Sequence, residues 1–540
     1  MKLQGFRLHA TSTSLPALDR QGLAGRPTER PNDDMPRIRV RVKEVVMPEN
    51  SIDRTVSRRT VLKAAAATGL ALSTQGILEV LADPTMRLAL AAPATLPDIQ
   101  FDIRAFVPPA QTVDGVVVRF GPVFTRFVTL KLTRRPDMLD QKRLAAALAS
   151  IEGRYPFSPA GVFVFVAYGI PYFNRLPGGM HGEVVRRYLP RLRSARNRLA
   201  LEEAVAGPTD VARGNPGIKK AAYNVPVAIE TNDVLLTVRS DLLGQTTDVV
   251  DWLFGHSNRL KGASVSSPDF NGLLAITSNR LMFQQMGLPR RVADDQRLPF
   301  AARVSDRSPM WMGFADQQAS GSGPPEITTF QGNQSAALTS CGPSDYMRNG
   351  AIQHLSHVIL DLDAFYSVPE EPFTERVQYT FRSNPIPALG GADQFGGGGG
   401  PAFLDNVFQG ANDARANAAG INTFDGEHRM GHLSALQRSS RAADGTPIHI
   451  RMDGPGFDSM DVPDGRAQPK LQFTVFVPTA DFFARMRRNQ ASLDLVRKYG
   501  VDDENNGLER FITATRRQNF LVPPRRHRAF PLLEMGYRPH

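Results

Sequence analysis

The residues with the strongest claim to chemistry lie late in the chain, in Thr446-Pro447-Ile448-His449-Ile450-Arg451-Met452-Asp453-Gly454-Pro455-Gly456. One histidine sits between apolar neighbours, an arginine follows two places on, and a Gly-Pro-Gly turn is expected to close the segment. A neutral imidazole is a metal-ligating group, and on a short element ended by a rigid turn it cannot easily swing away from its metal. A satisfied, half-buried histidine is the commoner role for a lone residue of this kind. His354 and His357 make a weak metal pair, because three-residue spacing suits a helix face and the segment reads as a strand. Glu427-His428-Arg429-Met430-Gly431-His432 adds two histidines without a third ligand at useful spacing, and they read as surface residues. The single cysteine, Cys341, excludes an internal disulfide and a thiolate-based cluster within one chain. No nucleophile elbow, phosphate-binding Gly-Lys loop or dinucleotide-binding glycine pattern is present; Gly396 to Gly400 is a run of composition only.

The elements that must hold these residues read as mixed α and β. Gly115–Phe120, Phe127–Leu132, Gly161–Gly169 and Asp233–Asp241 are strand-like by β-branched or continuous apolar content. Asp140–Glu152 carries Leu144, Leu148 and Ile151 on one helical face, and a second helix is expected over Thr247–Phe254. That order, without strict strand-helix-strand repetition, predicts an α+β domain on an antiparallel sheet with helices on one face. In the second half Gly350–Leu360 is a strand feeding a helix through Asp361 and Asp363. Gly390–Pro401 is a glycine-rich loop, Leu471–Val477 a strand and Asp481–Arg497 a helix with Phe482, Phe483 and Met486 available for burial.

At 540 residues the chain is too long for one compact core, and 41% hydrophobic with 22% charged residues suits a soluble globular protein. A net charge of +11 is modest for this size; it permits weak attraction to anions but makes no case for nucleic acid. Ser57-Arg58-Arg59-Thr60-Val61-Leu62-Lys63 is a twin-arginine pattern, followed by the apolar stretch Ala64–Leu81 and the small-residue stretch Ala89–Ala94. This predicts an export signal, preceded by an unusually long Pro-, Arg- and Asp-rich segment. Thr68, Ser73, Thr74, Gln75 and Glu79 make its apolar stretch a poor membrane span.

His449-Ile450-Arg451 with its Pro-containing turn resembles the proximal-histidine segment of the dye-decolourising (DyP-type) haem peroxidases. Gly313-Phe314-Ala315-Asp316-Gln317 resembles that family's Gly-x-x-Asp-Gly motif, with Gln317 where the motif has glycine. Gly169–Phe173 and Asp233–Asp241 resemble its first ferredoxin-like half, and the likeness runs roughly over residues 98–524. It implies two ferredoxin-like halves with antiparallel sheets and helices packed outside. The corresponding division is a 1–94 extension with its signal, a 95–300 domain, and a 301–540 haem-binding domain with a Gly-rich insertion at 390–425. It implies haem b on His449, with Asp316 exchanging protons with hydrogen peroxide. Arg466 would stabilise charge on the breaking peroxide, although the usual Arg-Arg neighbourhood is missing and Asp461 and Asp464 are unexpected. Arg451 and His357 would pair with haem propionates, whereas Trp311 reads as core packing. The implied function is a periplasmic or secreted peroxidase, exported by the twin-arginine machinery. It would oxidise a small aromatic reductant, with no stable membrane span and room for homo-oligomerisation. Gln317 keeps open a degenerate relative that binds haem without turnover, or binds none. A third reading, a basic envelope-associated binding protein, predicts colourless protein with salt-sensitive adhesion.

Overall fold

Side-chain alternation on nine long or paired strands builds the fold around two opposed apolar layers. A computed structural model describes residues within 95–536, outside internal stretches of which the longest are 313–324, 332–344, 368–448 and 494–507. The signal segment, Asp316, Cys341 and the 390–425 insertion therefore lie outside the described residues.

The first half runs β1 (Phe124–Leu132), α1 (Met138–Arg154), β2 (Phe163–Tyr168), β3 (Val234–Ser240), α2 (Leu243–Leu253) and β4 (Leu274–Phe283). The second runs β5 (Ala351–Leu360), β6 (Ile450–Arg451), β7 (Gly454–Asp458), β8 (Gln468–Val477), α3 (Ala480–Ala491) and β9 (Ile512–Val522). The hydrogen-bonded order is β6-β8-β5-β9-β2-β3-β1-β4, with β7 also on β8. In the first half the second, third, first and fourth strands lie side by side, which is the ferredoxin-like order. The second half repeats it as β6-β8-β5-β9, with β7 following β6 on the same edge of β8, and the neighbours are antiparallel. The expected α+β fold of two ferredoxin-like halves with helices outside is thus the fold of the chain.

β9 of the second half joins β2 of the first at Leu521 and Tyr168. At the other seam β7 lies against β4: a Cβ built on Gly456 would stand 3.0 Å from the Leu281 carbonyl oxygen, and one on Gly454 3.0 Å from Met282 Sδ. The sheet therefore curls into a barrel whose edges face each other. Phe127, Phe163, Phe165, Leu235, Leu355, Phe476 and Phe520 fill its interior, with Phe101 stacked on Phe476 at 4.1 Å. Val164, Val166, Val238 and Val475 face outward against Leu144 and Leu148 of α1, Val249 of α2 and Phe482 of α3. Full burial of each such side chain contributes roughly 1.5–3 kcal/mol.

Helix α1 starts as its sequence asks. The Asp137 side chain accepts from the backbone N–H groups of Leu139 and Asp140, and Asp140 accepts in return from Asp137. One expectation is corrected: Gly454-Pro455-Gly456 is no turn but the start of β7, in register with Gln472, Leu471 and Lys470. Val116–Val118 is a strand as expected and pairs with Gln111–Val113 in a separate two-stranded sheet. Helix α3 covers Ala480–Ala491, and the rest of the expected span to Arg497 lies largely outside the described residues. Among the described residues no helix is long and apolar enough to cross a membrane.

Candidate functional site

His449 immediately precedes β6 and is 0% exposed. Ile450 and Met452 beside it belong to the barrel's interior apolar layer, and Ile450 pairs with Phe476 across the ladder. Arg451 has a side chain only 8% exposed, and its Nε lies 3.7 Å from Asp453 Oδ1. The element is short because Met452 leaves the two-residue strand, its N–H still donating to the Thr474 carbonyl at 2.9 Å.

His357 occupies a different place. Leu355 faces the interior, so His357 two residues on faces it as well, opposite Gln472 on β8 and Arg516 on β9. Its ring touches Thr515 Oγ1 at 3.0 Å and lies between two carboxylates, Asp458 at 3.3 Å and Asp461 at 3.6 Å. The contacts continue as a buried chain of charge. Asp461 accepts from Arg516 Nε and Nη2, both at 2.7 Å, and Arg516 reaches Glu230 at 3.4 Å. Glu230 accepts from Arg280 at 2.6 Å, and at the other end Asp458 lies 3.6 Å from Lys470 Nζ. Three acids meet three bases, with His357 in the middle.

Burial by itself raises the Asp461 carboxyl, but hydrogen bonds from Arg516, His357 and Thr515 outweigh it and hold the group well below the usual carboxylate range. Asp458 is depressed against the same burial by the charge of His357, with Lys470 adding to it. Burial pushes Lys470 down to about 8, although Asp458 and Asp461 oppose it. Asp461 adopts φ 60°, a left-handed conformation that Asp tolerates better than most residues. Its contacts with Arg516 and Thr515 offset the backbone cost of about 1 kcal/mol or more. The cluster thus pins the β7–β8 connection across one end of the barrel.

The remaining predicted residues do not join His449. Arg466 stands on the β7–β8 connection with a side chain 82% exposed, its Nε 3.7 Å from Asp464. His354 faces away from His357, as the strand reading required; it stacks on Phe483 at 3.2 Å and bonds Asn519 and Ser356. Trp311 is buried and donates from Nε1 to the Gly456 carbonyl at 3.0 Å, the packing role expected of it. Arg516, Arg280 and Glu230 were missed: their strands read as polar, and only the bulky apolar neighbours Phe520 and Met282 could have signalled them.

The described residues fit haem at one position. His449 is fully buried immediately ahead of β6, and a buried imidazole on a short paired element is the ligand type that haem iron takes. His357 does not fit as a propionate partner, because Asp458 and Asp461 already surround it with negative charge. Arg466, with its side chain in solvent, lacks the low-dielectric setting in which an arginine stabilises developing charge. Among the described residues no group of three or more His, Cys, Asp or Glu is placed to hold a metal ion by itself.

A family model described as a family of unknown function, DUF7405, matches residues 206–524, more than half of the chain. No match is found among curated proteins. Solved structures similar to the chain include a dye-decolourising peroxidase from Bacteroides thetaiotaomicron. It is 14% identical at a TM-score of 0.42, over 80% of this chain and 99% of that one. A DyP-type peroxidase from Cellulomonas bogoriensis is 15% identical at a TM-score of 0.42, over 77% and 93%. A Rhodococcus jostii DypB variant in complex with haem is 11% identical at a TM-score of 0.41, over 79% and 97%. Likenesses this distant establish no activity, and the fold rests on the chain's own strand order.

Proposed function

The chain belongs to DUF7405, a family of unknown function, and on that premise we propose that it is an exported haem-binding protein of the dye-decolourising kind. In this reading it reduces hydrogen peroxide with single electrons drawn from a small aromatic reductant. The observation that carries the proposal is His449: a wholly buried imidazole immediately ahead of β6. A buried ring on a short paired element keeps its orientation, which is what an axial ligand must do. Bound haem would supply the iron at which the oxygen–oxygen bond of peroxide is cleaved. Arg451, at 8% side-chain exposure and two residues from His449, is the nearest cation in sequence for a propionate. Asp316 retains its motif-based role as proton carrier.

A second reading is favoured by His357 and Arg466. With one enclosed by carboxylates and the other in solvent, the chain would carry haem without peroxide turnover. Haem-loaded protein mixed with peroxide and a dye separates the two. Dye bleaching that disappears in His449→Ala supports the peroxidase, whereas a haem spectrum without bleaching supports the carrier. Export through the twin-arginine route belongs to the same proposal and rests on Arg58 and Arg59. Replacing both by lysine should hold the chain in the cytoplasm by fractionation, and undiminished export of that variant would refute it.

A further inference from the structure

The outer face of β5 and β9 carries an ion cluster that the haem proposal does not use. Arg517 donates to both oxygens of Asp210 at 2.6 and 2.7 Å and to Ser356 Oγ at 2.7 Å. Arg487 on α3 donates to Glu509 at 3.2 and 3.4 Å, to Thr209 at 3.1 Å and to Gln490 at 2.8 Å. Lys220 Nζ donates to the Glu509 carbonyl at 2.7 Å. Asp210, Lys220, Glu509 and Arg517 are at most 3% exposed and Arg487 7%. Among the described residues, three cations therefore meet two carboxylates away from water.

The protonation states keep that imbalance. Burial raises Asp210, but the charges of Arg517 and Arg487 hold it well below the usual range. Burial raises Glu509 likewise, and Arg487 and Lys220 pull it down. His354, the other titratable group here, is kept neutral by burial and by Arg517. A buried excess of one positive charge costs several kcal/mol unless an anion balances it. Two further observations show where the anion belongs. Arg487 Nε is buried with no acceptor among the described residues, and Arg517 spends three of its five N–H groups on the bonds named above. Between these residues lies a cavity of about 40 Å³, walled by Arg487, Arg517, Asp210 and Gln490 over an apolar floor that includes Leu471 and Ile512. That is space for about three waters, far below the roughly 300 Å³ at which cofactor pockets begin.

We propose that this cavity binds one small monovalent anion, chloride or a one- or two-carbon carboxylate, between the guanidinium groups of Arg487 and Arg517. The anion restores charge balance on a site whose apolar floor rejects larger polar ions. Burial lowers Lys220 to about 8, with Glu509 opposing it. Below that pH the cluster has its excess charge and holds the anion. Above it Lys220 loses its proton, the cluster is neutral, and the anion is released.

The test is thermal unfolding of the full chain at constant ionic strength, exchanging sodium gluconate for sodium chloride or sodium formate. At pH 7 the small anions should raise Tm by roughly 2 °C at ten times Kd, and further with the logarithm of their concentration. The rise should vanish at pH 9.5. Lys220→Met, which leaves two cations against two carboxylates, should fold and show no such rise at pH 7. Calorimetric titration of the wild-type chain with formate provides a readout independent of any variant. Equal Tm in gluconate and chloride with no heat on titration would overturn the proposal, as would an undiminished rise in Lys220→Met or at pH 9.5.

Discussion

At the scale of single residues, the interior chain of charge makes a definite claim about pH. Asp458 and Asp461 have folded-state pKa values depressed below the unfolded value near 3.8. The unfolded chain therefore binds more protons in acid, and both groups contribute stability that is complete above about pH 5. That contribution is lost as pH falls below about 4, toward and through their depressed folded values. In Asp461→Asn the bidentate partner of Arg516 is gone and His357 keeps only Asp458. The expected cost at pH 7 is about 2–3 kcal/mol, set by leaving Arg516 half-satisfied. Urea unfolding at pH 7 and pH 3 should show the variant losing less between the two than the wild type does. An equal loss would mean that Asp461 is not held as its contacts imply. The sequence showed none of this. Asp461 looked out of place after His449, and its partners Arg516 and Thr515 stand more than fifty positions away.

At the scale of elements, legibility followed chemistry. β2 and β3 were readable because both faces of each strand are apolar or nearly so, one facing the interior and one the helices. Helix α1 was readable from Leu144, Leu148 and Ile151, all of which are buried. β4 and β9 were missed, because interior positions carry Ser278, Arg280, Arg516 and Gln518, and a strand that hides charge inside a barrel looks like a loop in composition. The Gly454-Pro455-Gly456 segment misled for a related reason. Its glycines serve a strand seam: a Cβ on Gly456 would meet the Leu281 carbonyl at 3.0 Å and Gln472 Nε2 at 3.1 Å. Proline fits there at a barrel seam where one ladder hydrogen bond is not needed. Gly456→Ala should accordingly cost about 1–3 kcal/mol, since the contact is with backbone that cannot rotate away. Denaturant melting checks this, and a change under 0.5 kcal/mol would show that β7 and β4 are not so close.

At the scale of the whole molecule, two ferredoxin-like halves close on each other through β9–β2 and β7–β4, giving one interior with an apolar end and a charged end. Of the residues predicted for the functional site, the described part of the barrel buries His449 ahead of β6, sets His357 in the charged layer and leaves Arg466 in solvent. The sequence could not sort them, because proximity along the chain says nothing about which end of a barrel a residue reaches. That division leaves the haem proposal resting on a single imidazole. Absorbance titration of the full chain with haem, alongside His449→Ala of matched stability, tests it most directly. The account predicts a Soret band that saturates at one haem per chain in the wild type and is absent from the variant. Identical spectra in the two proteins, or no saturable band in either, would contradict it.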